Sequence, residues 1–359
     1  MGPASSIFSI ELWTRSGQLM GDLSGLAKNR RFVESRNEAE EISFEVEMAT
    51  YEKYCRSIFV DPAAFIIPGQ TEVRLARNGT YIGGGVIDYA LPRLTPTEQV
   101  WQFKASGFLN RFVKRYTGTW PSGTVQESFT AVEATTIAQT LITQSQALTN
   151  GDLGITFGEM ATVGVHDRTY ETTQIKNALQ DLTKVVTAPF DFKFSATKVF
   201  STYAQLGSYR PDIVFEYPGN IVINLEAPID ATNVVNEVKA LGAGFGTEAT
   251  EPVFDSDTGS QDNYGLCQEV ITTNGTDDSD GGVTDAAKAY KTAFAFPFQI
   301  PGFTYRGGAI AFTDYALGDS VKVRILDRPS LPIDGEFRIE KRELVLGDDD
   351  SEEVTIYVD

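Results

Sequence analysis

The sequence is poor in the residues that most enzymes use for covalent and metal chemistry. It has one histidine, His166, and two cysteines, Cys55 and Cys267, among 359 residues. A single histidine gives little support to histidine-based metal sites or to nucleophiles that a histidine activates. The cysteines are far apart and belong to no CxxC pair, so we expect two free thiols and no disulfide framework.

Long hydrophobic runs are also missing. No stretch reaches the roughly 18 apolar residues that a membrane-spanning helix requires. The first 13 residues, MGPASSIFSIELW, are too short and too polar for a signal peptide. We therefore expect a protein with no membrane anchor, made in the cytoplasm and released by cell lysis if it is exported at all.

Basic residues are scarce relative to acidic ones. The chain has 30 Lys and Arg against 49 Asp and Glu, a net charge of -19. Because nucleic-acid binding requires clustered Lys and Arg, specific DNA binding is not expected. The acidic excess serves solubility or, alternatively, keeps a channel wall from adhering to DNA. Basic residues cluster only at 28–31 and 114–115, where salt bridges to neighbouring acidic subunits explain them as well as a ligand does.

The usual catalytic and cofactor motifs are absent. There is no G-x-S-x-G, H-E-x-x-H or G-x-x-x-x-G-K-[ST] pattern. Residues 242–246, GAGFG, lack the glycine spacing and the following helix of a dinucleotide site. We expect no catalytic residues, no cofactor and no metal, and therefore no enzyme.

The loop at 276–282 holds three aspartates, which are oxygen ligands of the kind that calcium prefers. Its spacing does not match an EF-hand loop, so we expect a solvated loop and leave calcium binding open.

Trp120, in the segment GTWPSG, is the one candidate for an exposed sugar-stacking platform. Trp101 lies within an apparent strand and is expected in the core.

Glycine and aromatic residues are plentiful, with 32 Gly, 23 Phe and 14 Tyr. This composition favours strands joined by tight turns. Segment 41–48 alternates with the period of a half-buried strand, since Ile42, Phe44, Val46 and Met48 fall on one face and Glu41, Glu45 and Glu47 on the other. Asn78-Gly79 predicts a hairpin turn. Strong strands are also expected at 321–326, 336–346 and 353–358.

The middle of the chain adds helices. Thr130 and Glu133 have capping-box spacing, which predicts a helix that ends near Asn150-Gly151. A second helix is expected from Thr173 to Pro189. Residues 251–282 are low in apolar residues and are predicted to be loops, followed by a short helix at 284–292. The pattern as a whole predicts an α+β, mostly β protein.

The order of several segments resembles that of the tail hub or minor tail proteins of long-tailed (siphovirus-type) phages, which are relatives of the contractile-phage baseplate hub. The similarity is architectural and covers about residues 7–245. It is carried by SGQLMGDLSGLAKNRRFVESRNEAEEISFEVEM (16–48), IPGQTEVRLARNGTYIGGGVIDYA (67–90), ALTNGDLGI (147–155), RTYETTQIKNALQDLTKVV (168–186) and RPDIVFEYPGNI (210–221).

The resemblance implies two tube-type β-barrel domains with an α+β domain between them. It places the first barrel at 1–110, the α+β domain at 111–215, and the second barrel at 216–359 with an acidic loop excursion at about 251–294. It further implies a homotrimer in which six barrels surround a DNA channel and match a hexameric tail tube. Because the chain stops directly after a strand, enzymatic and receptor-binding parts are expected in other proteins.

The same resemblance implies a structural protein at the tail tip of the virion. Its expected partners are itself, the distal tail protein and tail tube, the tape measure protein, and receptor-binding or fibre proteins. DNA would pass through without specific binding, and Glu41, Glu45 and Glu47 are the candidates for lining the channel. The alternative function is a carbohydrate-binding tip module that adheres to the host cell wall through Trp120.

Overall fold

Strands dominate the structure, as the sequence predicts. A computed structural model describes residues 7–118, 126–184, 189–219, 222–226, 229–242, 251–272, 282–299, 302–308, 310–326, 328–330 and 333–359. Of the described residues, 46% lie in strands and 20% in helices. The predicted α+β, mostly β class is confirmed.

The first third of the chain forms seven strands and two helices. In chain order these are β1 (Phe8–Trp13), β2 (Leu19–Asp22), β3 (Ala27–Ser35), β4 (Glu41–Glu47), α1 (Met48–Ser57), α2 (Pro62–Phe65), β5 (Glu72–Arg77), β6 (Thr80–Leu94) and β7 (Gln99–Ser106). A 3-10 helix, Phe108–Phe112, follows.

Local sequence explains most of these elements. Ile42, Phe44 and Val46 of β4 are buried, while the residues that alternate with them, Glu41, Ser43, Glu45 and Glu47, are exposed or partly exposed, so the period-2 interpretation is confirmed. Asn78 and Gly79 take φ angles of 50° and 79° and turn β5 into β6. The strand β3 was not predicted, because Arg30 and Glu34 are charged residues at buried positions and a register shift between Lys28 and Arg31 interrupts the alternation.

The middle of the chain forms a separate core, and we call its elements the middle unit. They are β8 (Gln126–Glu133), α3 (Ala134–Ala147), β9 (Thr156–Phe157), β10 (Val165–Glu171), α4 (Ile175–Thr183), β11 (Asp191–Phe194) and β12 (Val199–Tyr203). Both predicted helices are present.

The predicted capping box of α3 is wrong. Thr130 lies inside β8, and the Glu133 side chain makes no capping hydrogen bond. Its carboxylate instead accepts hydrogen bonds from the backbone N–H groups of Val163 and Gly164, at 2.5 and 2.8 Å. The Glu133 carboxylate therefore makes a tertiary contact instead of the hydrogen bond at the helix start that the local pattern predicts.

The last part of the chain contains eleven strands and two helices among its described residues. They are β13 (Tyr209–Tyr217), β14 (Val222–Glu226), β15 (Ile229–Asp230), β16 (Glu237–Leu241), β17 (Val253–Ser256), α5 (Thr258–Tyr264), β18 (Gln268–Thr272), α6 (Gly282–Phe294), β19 (Phe298–Gln299), β20 (Gly302–Arg306), β21 (Ser320–Ile325), β22 (Asp334–Leu346) and β23 (Glu352–Val358).

The prediction of loops over 251–282 is wrong for residues 253–272. Here β17 and β18 flank β16, and α6 packs on β16 and β17 over a small apolar core. The polar run that indicated a loop contains the start of α5, where the Asp257 carboxylate accepts from the Ser260 N–H at 2.9 Å. Asp, Ser and Thr mark helix starts as well as loops. The aspartate loop at 276–281 lies outside the described residues.

One 13-stranded sheet joins the two ends of the chain. Its path is β14-β20-β23-β22-β3-β4-β7-β6-β5-β1-β2, with β21 and then β13 branching from β22. The central pairing is antiparallel and runs from Lys341 opposite Ser35 to Leu346 opposite Arg30. A single apolar core includes Phe32 from the first part and Phe215 from the last.

The described strands form no closed barrel, so the two tube-type barrels are not observed as such. That detail and the domain boundaries at 110 and 215 stay predictions. The shared sheet and core mean that the two chain ends stabilise each other, since each fully buried aromatic side chain contributes roughly 2 kcal/mol or more.

Candidate assembly face and buried ionic junction

Eight adjacent strands of the large sheet turn one side to the core and the other to solvent. We call the solvent side of β6, β7, β4, β3, β22, β23, β20 and β14 the outer face. Seven of these strands contribute a residue to one row in register across it: Tyr89, Lys104, Ser43, Arg31, Val345, Glu353 and Arg306. The outer face is therefore continuous across the junction of the two chain ends.

The three glutamates proposed for a channel all lie on the outer face. Glu41 is 3.6 Å from a guanidinium nitrogen of Arg31. The Glu45 carboxylate accepts hydrogen bonds from the amides of Asn29 and Gln102, each at 2.6 Å. Glu47 accepts from the Thr50 hydroxyl at 2.7 Å. The alternation thus places all three side chains on one surface, as predicted; whether that surface lines a channel stays a proposal.

Cations are interspersed with the carboxylates of the outer face. Arg31 also binds Glu343 at 2.6 Å, and Arg306 stands opposite Glu353. Lys104 lies 5.8 Å from the centre of the Tyr89 ring. The local charge of this face is therefore mixed, although the chain as a whole is strongly acidic.

A second cluster is buried on the core side of the same sheet, and we call it the ionic junction: Glu34, Glu40, Lys193 and Arg342. Arg342 Nε donates to Glu34 at 2.8 Å, and Lys193 Nζ donates to the other oxygen of Glu34 at 2.9 Å. Arg342 also donates to the carbonyls of Phe312 and Tyr315, at 2.9 and 2.6 Å. Because β3, β11 and β22 each supply one charge, the junction connects the first part, the middle unit and the last part of the chain.

The two carboxylates of the junction have opposite pKa shifts. Burial raises the pKa of Glu34, but the charges of Arg342 and Lys193 outweigh it and lower the pKa to about 2. Burial raises the pKa of Glu40 to about 7, Lys193 opposes that rise, and the nearby Glu34 adds to it. Glu40 accepts one hydrogen bond, from the Gly84 N–H at 3.0 Å. Glu34 is therefore a fixed anion, whereas Glu40 changes charge near neutral pH.

A second buried carboxylate, like Glu34, binds two basic side chains. Asp191 of the middle unit binds Arg36 at 3.1 Å and Arg338 at 2.6 Å. It also accepts from the Leu206 N–H at 2.8 Å. The pKa of Asp191 is lowered: burial opposes this, but its hydrogen bonds and the two arginines prevail. Two ionic clusters thus hold the middle unit against both ends of the chain.

Sequence reasoning did not find the ionic junction. Glu34 shares the core side of β3 with Phe32, where the pattern predicts an apolar residue, and nothing nearby in sequence indicates its partners. Arg342 is 308 positions away. The pairing exists only because β3 and β22 are neighbours in the large sheet.

The basic cluster at 28–31 has partners within the chain. Arg30, which is buried, binds Asp350 at 2.7 Å, and Arg31 binds Glu343 and Glu41. Neither a ligand nor a neighbouring subunit is needed to explain these two arginines.

The remaining sequence candidates fall into two groups. Trp120 and the aspartates of 276–281 lie outside the described residues, so the sugar platform and calcium binding stay predictions. Trp101, predicted in the core, is only partly buried: it packs against the large core, and the centre of its ring lies 6.0 Å from that of Phe103. Cys55 and Cys267 are free thiols.

No cluster of three or more potential metal ligands occurs within the described ranges. Each helix there is too short or too polar to cross a bilayer.

Comparison with solved structures shows what this architecture resembles. The tail protein from Neisseria meningitidis MC58 matches with a TM-score of 0.66 at 11% identity, over 98% of this chain and 96% of that chain. The 43 kDa tail protein of prophage MuSo2 from Shewanella oneidensis matches with 0.66 at 14%, over 98% of each chain. The chain has a phage tail hub-like fold.

Two further structures extend this hub-like fold to related machines. Prophage tail protein gp18 from Listeria monocytogenes EGD-e matches with a TM-score of 0.59 at 11% identity, over 97% of this chain and 94% of that chain. An E. coli type VI secretion component, described as similar to T4 tail proteins gp27 and gp5, matches with 0.51 at 10%, over 92% and 73%. No protein family and no curated protein matches by sequence.

Proposed function

We propose that this chain is a non-enzymatic structural subunit of a phage tail tip, a hub that joins the tail tube to the tip apparatus. The observation that carries the proposal is the continuous outer face, which both ends of the chain build together within a fold resembling tail proteins. An extended, open sheet face suits a wall or an interface better than a substrate pocket.

Ring formation is supported by the edges of the outer face. At one end, residues 89–94 of β6 pair only with β7 among the described strands, and at the other end β14 pairs only with β20. Each edge carries backbone groups available for a further strand. A heterologous contact between β6 of one copy and β14 of the next repeats around an axis and closes a ring. We propose three copies, in line with the resemblance.

In this ring the outer face, with Glu41, Glu45 and Glu47, faces the DNA channel. Its mixed charge offers no cluster of cations to hold phosphates, so DNA passes without specific binding. The proposed neighbours are the distal tail protein and tail tube, the tape measure protein, and receptor-binding or fibre proteins. The proposed location is the tail tip of the virion.

A charge-reversed phage tests the channel assignment. Replacing Glu41, Glu45 and Glu47 together with lysine adds phosphate-binding charges to the wall, so DNA ejection is expected to slow. The control replaces three exposed glutamates away from the outer face, Glu52, Glu171 and Glu269, with lysine, which changes the net charge equally. Normal ejection from intact virions of the first variant contradicts the assignment.

Copy number tests the ring independently. Native mass spectrometry of the protein and cryo-electron microscopy of the tail tip are expected to give three copies. One or six copies per tip would exclude the trimer and leave the channel test unaffected.

A further inference from the structure

The middle unit and the large sheet have separate apolar cores. The core of the middle unit is built by its own helices and strands and by the 3-10 helix Phe108–Phe112. Among the buried residues of that core, as far as the structure describes them, only Val86 comes from the large sheet. The buried residues of the sheet's own core include none from the middle unit within the same described ranges. The two bodies therefore do not share an apolar core that would hold them together.

Polar side chains connect the middle unit to the sheet instead. Ion pairs with N–O distances of 2.6 to 3.1 Å join them at three places: Lys193 with Glu34, Lys198 with Glu72, and Asp191 with Arg36 and Arg338. The backbone N–H of Phe192 also donates to the Asn37 side chain, at 2.8 Å. We call the contact made by these residues the docking interface. Polar interfaces between separately packed units permit relative motion, so the middle unit can move here as a body.

Glu40 lies at the docking interface in a space that cannot hydrate it. The described residues give its carboxylate one hydrogen bond, from the Gly84 N–H at 3.0 Å. Glu40 and residues 192–194 of β11 line a cavity of about 20 Å3. Such a volume holds about one water molecule, whereas an ionised carboxylate has about four acceptor sites. An ionised Glu40 therefore gains full hydration only if β11 moves away from the sheet.

The charged groups around Glu40 are already paired with one another. They are Glu34 of β3 with Arg342 of β22 and Lys193 of β11, and Glu38 of the same loop with Lys176 of α4. The other walls, β6 and residues 107–109, present the Gly84 N–H, backbone and apolar side chains. Lys193 attracts an ionised Glu40, but burial is the larger influence and, with repulsion from Glu34, raises the pKa of Glu40 to about 7. The docked arrangement thus favours the protonated carboxyl group.

We propose that the docking interface is a pH-sensitive switch: the middle unit is docked on the sheet while Glu40 is protonated, and ionisation of Glu40 shifts it toward an undocked state in which both apolar cores stay folded. In the undocked state water reaches the carboxylate, which then titrates as an ordinary glutamate. A proton that binds more tightly in the docked state stabilises docking. Undocking therefore increases as pH rises from 4.5, the ordinary pKa, to about 7, and levels off above that. This inference does not depend on the proposed role in a tail.

Hydrogen exchange followed by mass spectrometry measures undocking in the full-length protein. The Phe192 amide, which donates across the docking interface, is resolved by overlapping peptides, and its exchange rate is divided by the intrinsic rate at each pH. Its protection is expected to fall about tenfold between pH 6 and pH 8.5, the change that follows from a pKa of 4.5 undocked and about 7 docked. Peptides from α3 and β22, in the two cores, are expected to keep their protection, which distinguishes undocking from unfolding.

Two variants assign the pH dependence to Glu40. Glu40→Gln keeps an acceptor for the Gly84 N–H and cannot ionise, so the protection of Phe192 is expected to be equal at both pH values. Glu38→Gln, at an exposed carboxylate of the same loop, is the matched control and is expected to keep the pH dependence of the wild type. Circular dichroism checks that each variant is folded.

Three results would overturn the proposal. They are equal protection of Phe192 at both pH values in the wild type, a pH dependence that persists in Glu40→Gln, and a loss of protection in α3 and β22 together with Phe192. The first and the third need only the wild-type protein, so they are decisive even if the Glu40 variant does not fold.

Discussion

Replacing Glu40 with glutamine tests the electrostatics of the ionic junction in one step. Glu40 is 8% exposed, and its one hydrogen bond comes from the Gly84 N–H. A glutamine side-chain oxygen accepts the same hydrogen bond and fills the same volume. The substitution therefore removes the titration of this carboxyl group and changes little else.

The magnitude follows from the pKa of Glu40, which rises from 4.5 to about 7 on folding. A carboxyl group with a raised pKa binds its proton more tightly in the folded state, so it destabilises the fold as pH rises. The cost is absent well below pH 4.5, grows between pH 4.5 and 7, and is complete above 7. At about 1.4 kcal/mol for each pKa unit, the full cost is about 3 kcal/mol.

We therefore expect Glu40→Gln to raise the free energy of unfolding by about 3 kcal/mol at pH 8 and by less than about 0.5 kcal/mol at pH 4.5. Urea unfolding at pH 8 and at pH 4.5, followed by circular dichroism, gives the free energy of unfolding of the variant and of the wild type. Because both proteins contain the same other titrating groups, the contribution of those groups cancels in the difference. Glu41→Gln, at the exposed neighbour on the outer face, is the control, because a substitution at an exposed site is expected to change the free energy of unfolding by less than about 0.5 kcal/mol. An equal effect of Glu40→Gln at both pH values, or a loss of stability at pH 8, would refute the assignment.

Three further substitutions test the packing of the large sheet, each by urea unfolding. Arg342→Ala leaves the buried Glu34 carboxylate without its main partner and should cost about 3 to 5 kcal/mol. Phe215→Ala empties a fully buried site and should cost about 3 to 5 kcal/mol, whereas Phe254→Ala, at a side chain that is 66% exposed, should cost little. Gly83→Ala drives a Cβ into the ring of a buried phenylalanine of β3 and should cost about 1 to 3 kcal/mol. Costs below about 1 kcal/mol for the buried sites would contradict this account.

Local patterns were reliable where one residue type has one structural meaning. The alternation over 41–48 predicted β4, its buried side and the common surface of its three glutamates. Asn78-Gly79 predicted the turn between β5 and β6. Local patterns failed where one residue type has two structural roles. Asp257 begins a helix inside a polar run that indicated a loop. The carboxylate of Glu133 binds a loop that is distant in sequence instead of the start of its own helix.

The sequence by itself determined the composition, the mostly β class, the acidic charge and most of the strands and helices. These depend on side-chain periodicity and turn chemistry within about ten residues, which any local pattern records. Only the tertiary structure decided that β3 pairs with β22, and with that pairing came the shared core, the continuous outer face and the ionic junction. Such pairings depend on the summed burial of residues hundreds of positions apart, which no short stretch of sequence encodes.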